Sequence, residues 1–110
     1  MGELIEPFLK KIEGYSSKQV EINDYCKRRI QQRNIEESLM ISTLFSKSLC
    51  GVEEQQKNYM GKDEKRHKLA FQISSRYYLV IIVIFYPKVL KVVNCYKTSK
   101  RLEKLWKKNR

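Results

Sequence analysis

Residues 77–86 read "YYLVIIVIFY" and form the longest apolar stretch of this 110-residue chain. The stretch is too short to span a bilayer as a helix, which needs about 20 apolar residues. Its valine and isoleucine content favours a β-strand, and apolar residues at successive positions are typical of a strand covered on both faces. Pro87 follows directly and marks a turn, because proline cannot donate to a central ladder. The sequence therefore predicts a central strand over residues 77–86.

Further strands are predicted on either side of this one in the chain. Residues 68–74 ("KLAFQIS") alternate apolar and polar side chains, which is typical of a half-buried strand. Residues 50–59 are polar and weakly alternating and predict an edge strand, whereas the charged residues 60–66 predict a loop. Residues 89–96 ("VLKVVNCY") predict the last strand, and a period of two places the following side chains on one of its faces: Leu90, Val92, Asn94 and Tyr96.

The first half of the chain is mostly helical in pattern. Residues 3–13 carry one apolar stripe, which predicts an amphipathic helix within residues 1–16, and "KQVEIN" at residues 18–23 predicts a short strand. The stretch "YCKRRIQQRNIEESLM" at residues 25–40 predicts two helices joined at Asn34.

Each end of the first of these two helices has a candidate signal. Asn23 or Asp24 can cap its start, and the helix is expected to run to about Arg33. Asn34 tolerates the left-handed conformation that ends a helix. Asn34 is also expected to cap the second helix, since Glu37 stands three residues later as in a capping box.

The end of the chain, residues 98–110, predicts a basic helix with Leu102, Leu105 and Trp106 as its apolar stripe. Together these elements predict a single α+β domain over residues 1–110. Its helices are expected to pack on one face of a twisted, mainly antiparallel sheet. The N-terminal helix (1–16) and the basic C-terminal helix are additions to that arrangement.

The positive charge is confined to one half of the chain. Residues 1–60 carry 9 basic and 9 acidic side chains, whereas residues 61–110 carry 14 basic and 3 acidic ones, so the second half supplies the whole net charge of +11. This asymmetry indicates an anionic partner, with RNA or DNA first and an acidic protein second. A lysine-rich solubilising surface is the alternative.

The cysteines and the single histidine limit the chemistry that is available. Cys26, Cys50 and Cys95 are widely spaced, and His67 is the only histidine, so we expect no metal site and no cofactor. An odd number of cysteines without a recognisable signal peptide favours reduced thiols in the cytoplasm. No membrane-spanning segment is expected.

The order of elements, together with a residue pattern, resembles a prokaryotic family of unknown function that shares the RelE/ParE-like toxin fold. Family members carry H-x-x-x-R-[M/I]-x-x-R-[G/N]-I, and the matching residues here are Tyr25, Arg29, Ile30, Arg33, Asn34 and Ile35. The family's last strand resembles V-V-T-x-Y, which corresponds to residues 92–96. The resemblance covers residues 18–101. It departs at two positions, because Tyr25 replaces the family's histidine and Asn94 its threonine.

The resemblance implies a RelE-like toxin, or a ribonuclease derived from one, that cleaves mRNA without a metal ion. RNA cleavage needs proton transfer and cations around the phosphorane, and arginine and tyrosine can supply both. The candidate catalytic residues are Tyr25, Arg29, Arg33 and Tyr96. The candidate nucleic-acid-binding residues are Arg76, Lys97, Lys100, Arg101 and Lys104.

Structural roles for these residues remain open. The arginines can form a solvated or salt-bridged helix face, and the two tyrosines can be core aromatics. Two functional hypotheses follow from different classes. In the first, the protein is a toxin-type ribonuclease that acts on RNA, including ribosome-bound mRNA, and is neutralised by an acidic antitoxin. In the second, a non-catalytic domain of the same fold binds nucleic acid or protein. A homodimer is compatible with both.

Overall fold

A computed structural model of the protein describes residues 2–99 and confirms the α+β class. This part of the chain contains three helices and five strands. The helices are α1 (Gly2–Glu13), α2 (Asp24–Gln32) and α3 (Glu37–Leu44), and the strands are β1 (Val20–Ile22), β2 (Leu49–Tyr59), β3 (Lys62–Gln72), β4 (Tyr77–Phe85) and β5 (Leu90–Ser99), with one 3-10 turn at Ser17–Gln19. The predicted C-terminal helix at residues 98–110 lies outside the described residues, except that residues 98 and 99 belong to β5.

The five strands form one mixed sheet in the order β1-β5-β4-β3-β2. β1 pairs with β5 in parallel, and the other three pairings are antiparallel. β4 has a strand on each side, and its residues Tyr78 to Ile84 are all buried. The prediction of a central strand from its apolar residues is therefore confirmed, and so is the prediction that β2 is an edge strand.

The turn between β2 and β3 consists of only two residues, Met60 and Gly61, which both have positive φ angles, 53° and 81°. Two positive φ angles are characteristic of a type I′ hairpin turn, whose twist matches that of the flanking strands. The predicted charged loop over residues 60–66 is therefore wrong. Residues 62–66 continue β3 and pair with β2 only, because the pairing of β3 with β4 begins at His67.

A β-bulge in β5 changes which face its side chains occupy. Ile82 of β4 pairs with Asn94, whereas the next residue, Val83, pairs with Val92, so that Val93 is the extra residue. Val92 lies in the same cluster as the helix side chains, and Tyr96 packs against the cluster on the opposite face. The prediction that Leu90, Val92, Asn94 and Tyr96 share one face is therefore wrong, since the bulge shifts the alternation by one residue.

Buried apolar side chains form two clusters, one on each face of the sheet. The first cluster combines helix residues such as Ile12, Ile30 and Leu44 with residues of β2 to β5. The second cluster consists of Ala70, Val80, Ile82, Ile84 and Val93, with Cys50 and Tyr96 packed against it. Because side chains alternate along β4, its odd-numbered residues from 79 to 83 join the first cluster and its even-numbered residues from 80 to 84 the second.

Local hydrogen bonds define both ends of α2. The Asn23 side chain accepts from the backbone N–H of Cys26 at 2.7 Å and caps the start of the helix, as predicted. At the other end Asn34 has a φ of 56°, and Ile35 N–H donates to the Ile30 carbonyl oxygen at 2.8 Å. With the bond from Asn34 N–H to the Gln31 carbonyl oxygen, this is a Schellman motif.

The start of α3 differs from the prediction. Its N-cap is Glu36, which makes no capping hydrogen bond through its side chain, so Asn34 does not cap this helix. Asn34 cannot serve both helices, because its backbone already closes α2 in the left-handed conformation. Within residues 2–99, none of the helices is long and apolar enough to cross a membrane.

Candidate nucleic-acid interface

Arg33 connects the C-terminal end of α2 to β5. Its Nη1 donates to Asn94 Oδ1 at 3.1 Å and to the backbone carbonyl oxygen of Cys95 at 2.8 Å. The Asn94 side chain also accepts from the backbone N–H of Cys95 at 2.9 Å. This contact is possible because β1 pairs with β5 only as far as Val92, so the edge of β5 beyond that residue is available to Arg33. The bulge beside Asn94 thus coincides with the point where the helix is attached.

Two cationic side chains lie near the Tyr96 ring. The guanidinium carbon of Arg33 is 5.8 Å from the centroid of the Tyr96 ring, and the Lys68 ammonium nitrogen is 5.9 Å from it. Both distances are within the range of a cation–π interaction. Tyr96 packs against the second cluster and is half-buried, so part of its side chain is accessible to solvent. We refer to Arg33, Lys68, Asn94 and Tyr96 together as the Tyr96 cluster.

Tyr25 and Arg29 lie on the same side of α2 as Arg33, closer to the start of the helix, and form a second pair. Tyr25 is 49% exposed, so it is not a core aromatic, and the Arg29 guanidinium carbon lies 5.9 Å from the centroid of its ring. Arg29 Nη1 donates to Gln32 Oε1 at 3.2 Å. Among the described residues, no hydrogen bond or cation–π contact joins this pair to Tyr96. The structure therefore brings Arg33 together with Tyr96, and Tyr25 together with Arg29.

The other predicted binding residues occupy different positions. Lys97 is exposed, but it pairs with Leu79 and so faces the side of the sheet opposite to Tyr96. Arg76 is exposed in the turn before β4, at the end of the sheet where Tyr77 pairs with Ser99. Lys100, Arg101 and Lys104 lie outside the described residues.

Lys68 is the member of the Tyr96 cluster that sequence reasoning missed. The alternation of Leu69, Phe71 and Ile73 already placed Lys68 on the opposite face of its strand. Its proximity to Tyr96 depends on two long-range pairings, Lys68 with Ile82 and Ile82 with Asn94, which a single sequence does not reveal.

Two buried thiols lie close to Arg33. Burial raises the pKa of Cys26 to about 11 and that of Cys95 to about 12, and the nearby positive charge of Arg33 offsets only part of each shift. Both groups are therefore neutral thiols at physiological pH. A thiol must be ionised to act as a nucleophile, so neither cysteine supplies covalent chemistry to the Tyr96 cluster.

His67 is located in a different part of the fold. Its ring is 6% exposed and lies 5.1 Å from the Phe8 ring centroid and 5.3 Å from that of Phe85. Burial lowers its pKa, with Lys11 and Lys65 adding to the effect and Glu54 opposing it. His67 therefore belongs to the packing of α1 against the sheet. In the described part of the chain, no cluster of histidine, cysteine and carboxylate side chains could hold a metal ion.

The Tyr96 cluster has the chemical character of an anion-binding surface with an aromatic centre. Arg33 uses Nη1 for the strand, which leaves its Nε and Nη2 donors without a hydrogen-bond partner among the described residues. No family model, curated protein or solved structure matches this chain.

Proposed function

We propose that this protein binds RNA through the Tyr96 cluster. The observation that carries the proposal is the position of the Tyr96 ring, which has a guanidinium at 5.8 Å and an ammonium at 5.9 Å. Cations that bind phosphate and aromatic rings that stack on bases are the two elements that proteins combine to bind single-stranded nucleic acid. The second half of the chain, which supplies the whole net charge of +11, also supplies Lys68 and Tyr96.

The proposed architecture is that of a RelE/ParE-like domain. The order of elements, two short helices followed by antiparallel strands, supports it. So does the first apolar cluster, which combines residues of α1, α2 and α3 with one set of strand residues, as expected if the helices pack on one face of the sheet. Tyr25, Arg29 and Arg33 follow the spacing of the family pattern along α2.

Cleavage of the bound RNA is the second candidate function. It is favoured by the direct contact between Arg33 and Tyr96, since a toxin-type ribonuclease needs a cation and a proton donor at one phosphate. Cleavage also needs a group that accepts a proton. Within residues 2–99 neither a carboxylate nor an imidazole hydrogen-bonds to Arg33, Lys68 or Tyr96, so the described residues show no such group at the Tyr96 cluster. For this reason binding is the primary proposal.

The positive charge of the Tyr96 cluster indicates a class of partner, and the cysteines indicate a cellular compartment. A surface that binds RNA also attracts an acidic protein, so an acidic antitoxin would compete with RNA for the Tyr96 cluster. Cys26 and Cys95 are buried thiols outside any disulfide, which suits a reducing compartment, and we therefore propose the cytoplasm as the location of the protein.

The test is a titration of the purified protein with a labelled single-stranded RNA at several salt concentrations. Tyr96→Leu keeps the packing against the second cluster but removes the aromatic ring, and we expect it to weaken binding about 5- to 150-fold, as the loss of one stacked base does. Lys68→Ala should reduce the slope of log affinity against log salt by about 0.7, the value for one phosphate contact with a single strand.

Lys97→Ala is the matched control for Lys68→Ala, because Lys97 is also a lysine but faces the opposite side of the sheet from Tyr96. Equal losses for both lysine variants would contradict a localised site and indicate attraction by net charge alone. Tyr96→Phe separates binding from cleavage: it retains the ring, so binding should survive, whereas any cleavage that needs the hydroxyl group should be lost.

A further inference from the structure

The second apolar cluster is more deeply buried than the sheet alone explains. Val80 is 0% exposed, Ala70 is 2% exposed, and Ile84 is 6% exposed. Side chains on the outer face of a single sheet remain open to water unless another layer covers them. Among the side chains that the structure describes, every member of this cluster belongs to β2, β3, β4 or β5, so no helix of residues 2–99 provides that layer.

We propose that residues 100–110 of the same chain dock on this face and complete the core. Their sequence, "KRLEKLWKKNR", places Leu102, Leu105 and Trp106 at intervals of three and four residues, which is the stripe of an amphipathic helix. The stripe is apolar, as the cluster is. The remaining side chains of the segment are almost all charged, so the segment has one face for the sheet and one for water.

The length of the segment and its point of attachment fit this site. β5 ends at Ser99, which pairs with Tyr77 at the start of β4, and Tyr78, Val80 and Ile82 follow along β4 from that point. Crossing from β5 to β3 covers two strand spacings, or about 10 Å. Eleven residues in a helix extend about 16 Å, so the segment reaches across β5, β4 and β3 without a linker.

Docking there would place the segment beside the Tyr96 cluster, since Tyr96 packs against the rim of the second apolar cluster. The six basic side chains of residues 100–110 would then extend the cationic surface around Arg33 and Lys68. This consequence for RNA rests on the proposed function, whereas the docking itself does not.

Trp106 is the only tryptophan of the chain, so its fluorescence reports on the segment alone. If the segment docks, the emission of the folded protein should be shifted to the blue relative to the urea-unfolded protein. Acrylamide should quench it several-fold less efficiently, at all protein concentrations. An emission maximum and quenching equal to those of the unfolded chain would overturn the proposal. Protection that appears only with rising protein concentration, together with dimers in sedimentation, would also overturn it by identifying a second copy as the occupant.

A double-mutant comparison tests the site of docking. Trp106→Ala and Ile82→Ala should each lower the urea midpoint, and the double variant should lose less than the sum of the two shifts because both remove the same contact. Trp106→Ala with Ile81→Ala is the matched control, because Ile81 lies in the first cluster and its shift should add to that of Trp106→Ala. Additive shifts in both pairs would overturn the proposed site.

RNA binding is measured separately on the full-length chain carrying Lys104→Gln and Lys107→Gln, which removes two positive charges of the segment and keeps its apolar stripe. A protected Trp106 with RNA affinity unchanged by these two substitutions would retain the docking and reject its extension to RNA. Loss of RNA affinity with an unprotected Trp106 would retain RNA binding and reject the docking.

Discussion

Replacing Arg33 by alanine should destabilise the fold, in addition to any effect on RNA binding. The change removes the guanidinium donor of two hydrogen bonds, at 3.1 Å to Asn94 Oδ1 and at 2.8 Å to the Cys95 carbonyl oxygen. A hydrogen bond that involves a charged group contributes about 1.5–3 kcal/mol. Because Arg33 is only half-buried and water can replace part of what is lost, we expect a decrease of about 2 kcal/mol in the free energy of unfolding.

Arg29→Ala is the matched control for this experiment. It removes the same type of side chain one helical turn earlier, where the guanidinium hydrogen-bonds to the exposed Gln32 and lies near the ring of the exposed Tyr25, with no other hydrogen bond among residues 2–99. We expect a loss of about 0.5 kcal/mol or less for a contact of this surface type. Urea denaturation followed by circular dichroism measures both variants. A double-mutant cycle of Arg33→Ala with Asn94→Ala should give a coupling of about 1 kcal/mol.

The outcome distinguishes the two roles of Arg33. If Arg33→Ala is no more destabilising than Arg29→Ala, the attachment of α2 to β5 contributes little, and the reasoning from the two hydrogen bonds is refuted. RNA binding by Arg33→Ala is then measured well below its unfolding transition. Unchanged affinity per folded molecule would show that Arg33 is purely structural and that any binding depends on Lys68 and Tyr96.

Four further predictions concern the fold. Ile82→Asp buries an unpaired charge on the central strand and should prevent cooperative folding, so a sharp urea transition of this variant would contradict the position of β4. The depressed pKa of the buried His67 means that the unfolded chain takes up the proton more readily. The free energy of unfolding should therefore fall as the pH decreases below about 6.5, by at most about 1.4 kcal/mol per pH unit, and His67→Gln should remove this slope. Met60→Asn should raise the free energy of unfolding by about 0.5–1 kcal/mol in thermal denaturation, because asparagine tolerates the positive φ at this exposed turn position better than methionine does; a decrease would argue against the turn geometry. Cys26 and Cys95 should react with a thiol reagent only at the rate of unfolding, since both are fully buried and their pKa values are raised to about 11 and about 12, and rapid labelling of the native protein would contradict their burial.

Local residue chemistry accounts for the features that could be predicted from the sequence. The apolar run at residues 77–86 indicated the central strand, because it is short and rich in valine and isoleucine, and a strand covered on both faces buries side chains at successive positions. Asn23 and Asn34 indicated the two ends of α2 through their capping and left-handed tendencies. Arg29 and Arg33, four residues apart, were both expected to face one cleft with Tyr96; Arg33 lies beside Tyr96, Arg29 lies beside Tyr25 instead, and a catalytic role for these residues stays a prediction.

Features that depend on pairing between distant residues were not predictable. Met60 is an unusual residue for a tight hairpin turn, so the charged stretch around it resembled a loop. Lys68 lies near Tyr96 because of how β3, β4 and β5 are aligned with one another, and this register cannot be deduced from a single sequence. The side chains of β5 were assigned to one face because strict alternation is the default pattern, and nothing in "VLKVVNCY" marks Val93 as the extra residue.

The bulge at Val93 also bears on how this strand can diverge during evolution. Deleting that single residue would restore strict alternation along β5 while Asn94 still pairs with Ile82 and Tyr96 with Val80, so Tyr96 would keep its place against the second cluster. Val93 is thus a position that related chains can gain or lose without moving the Tyr96 cluster to the other face of the sheet. In an alignment of related chains, a one-residue gap at Val93 is therefore compatible with this surface, whereas the loss of an aromatic residue at Tyr96 is not.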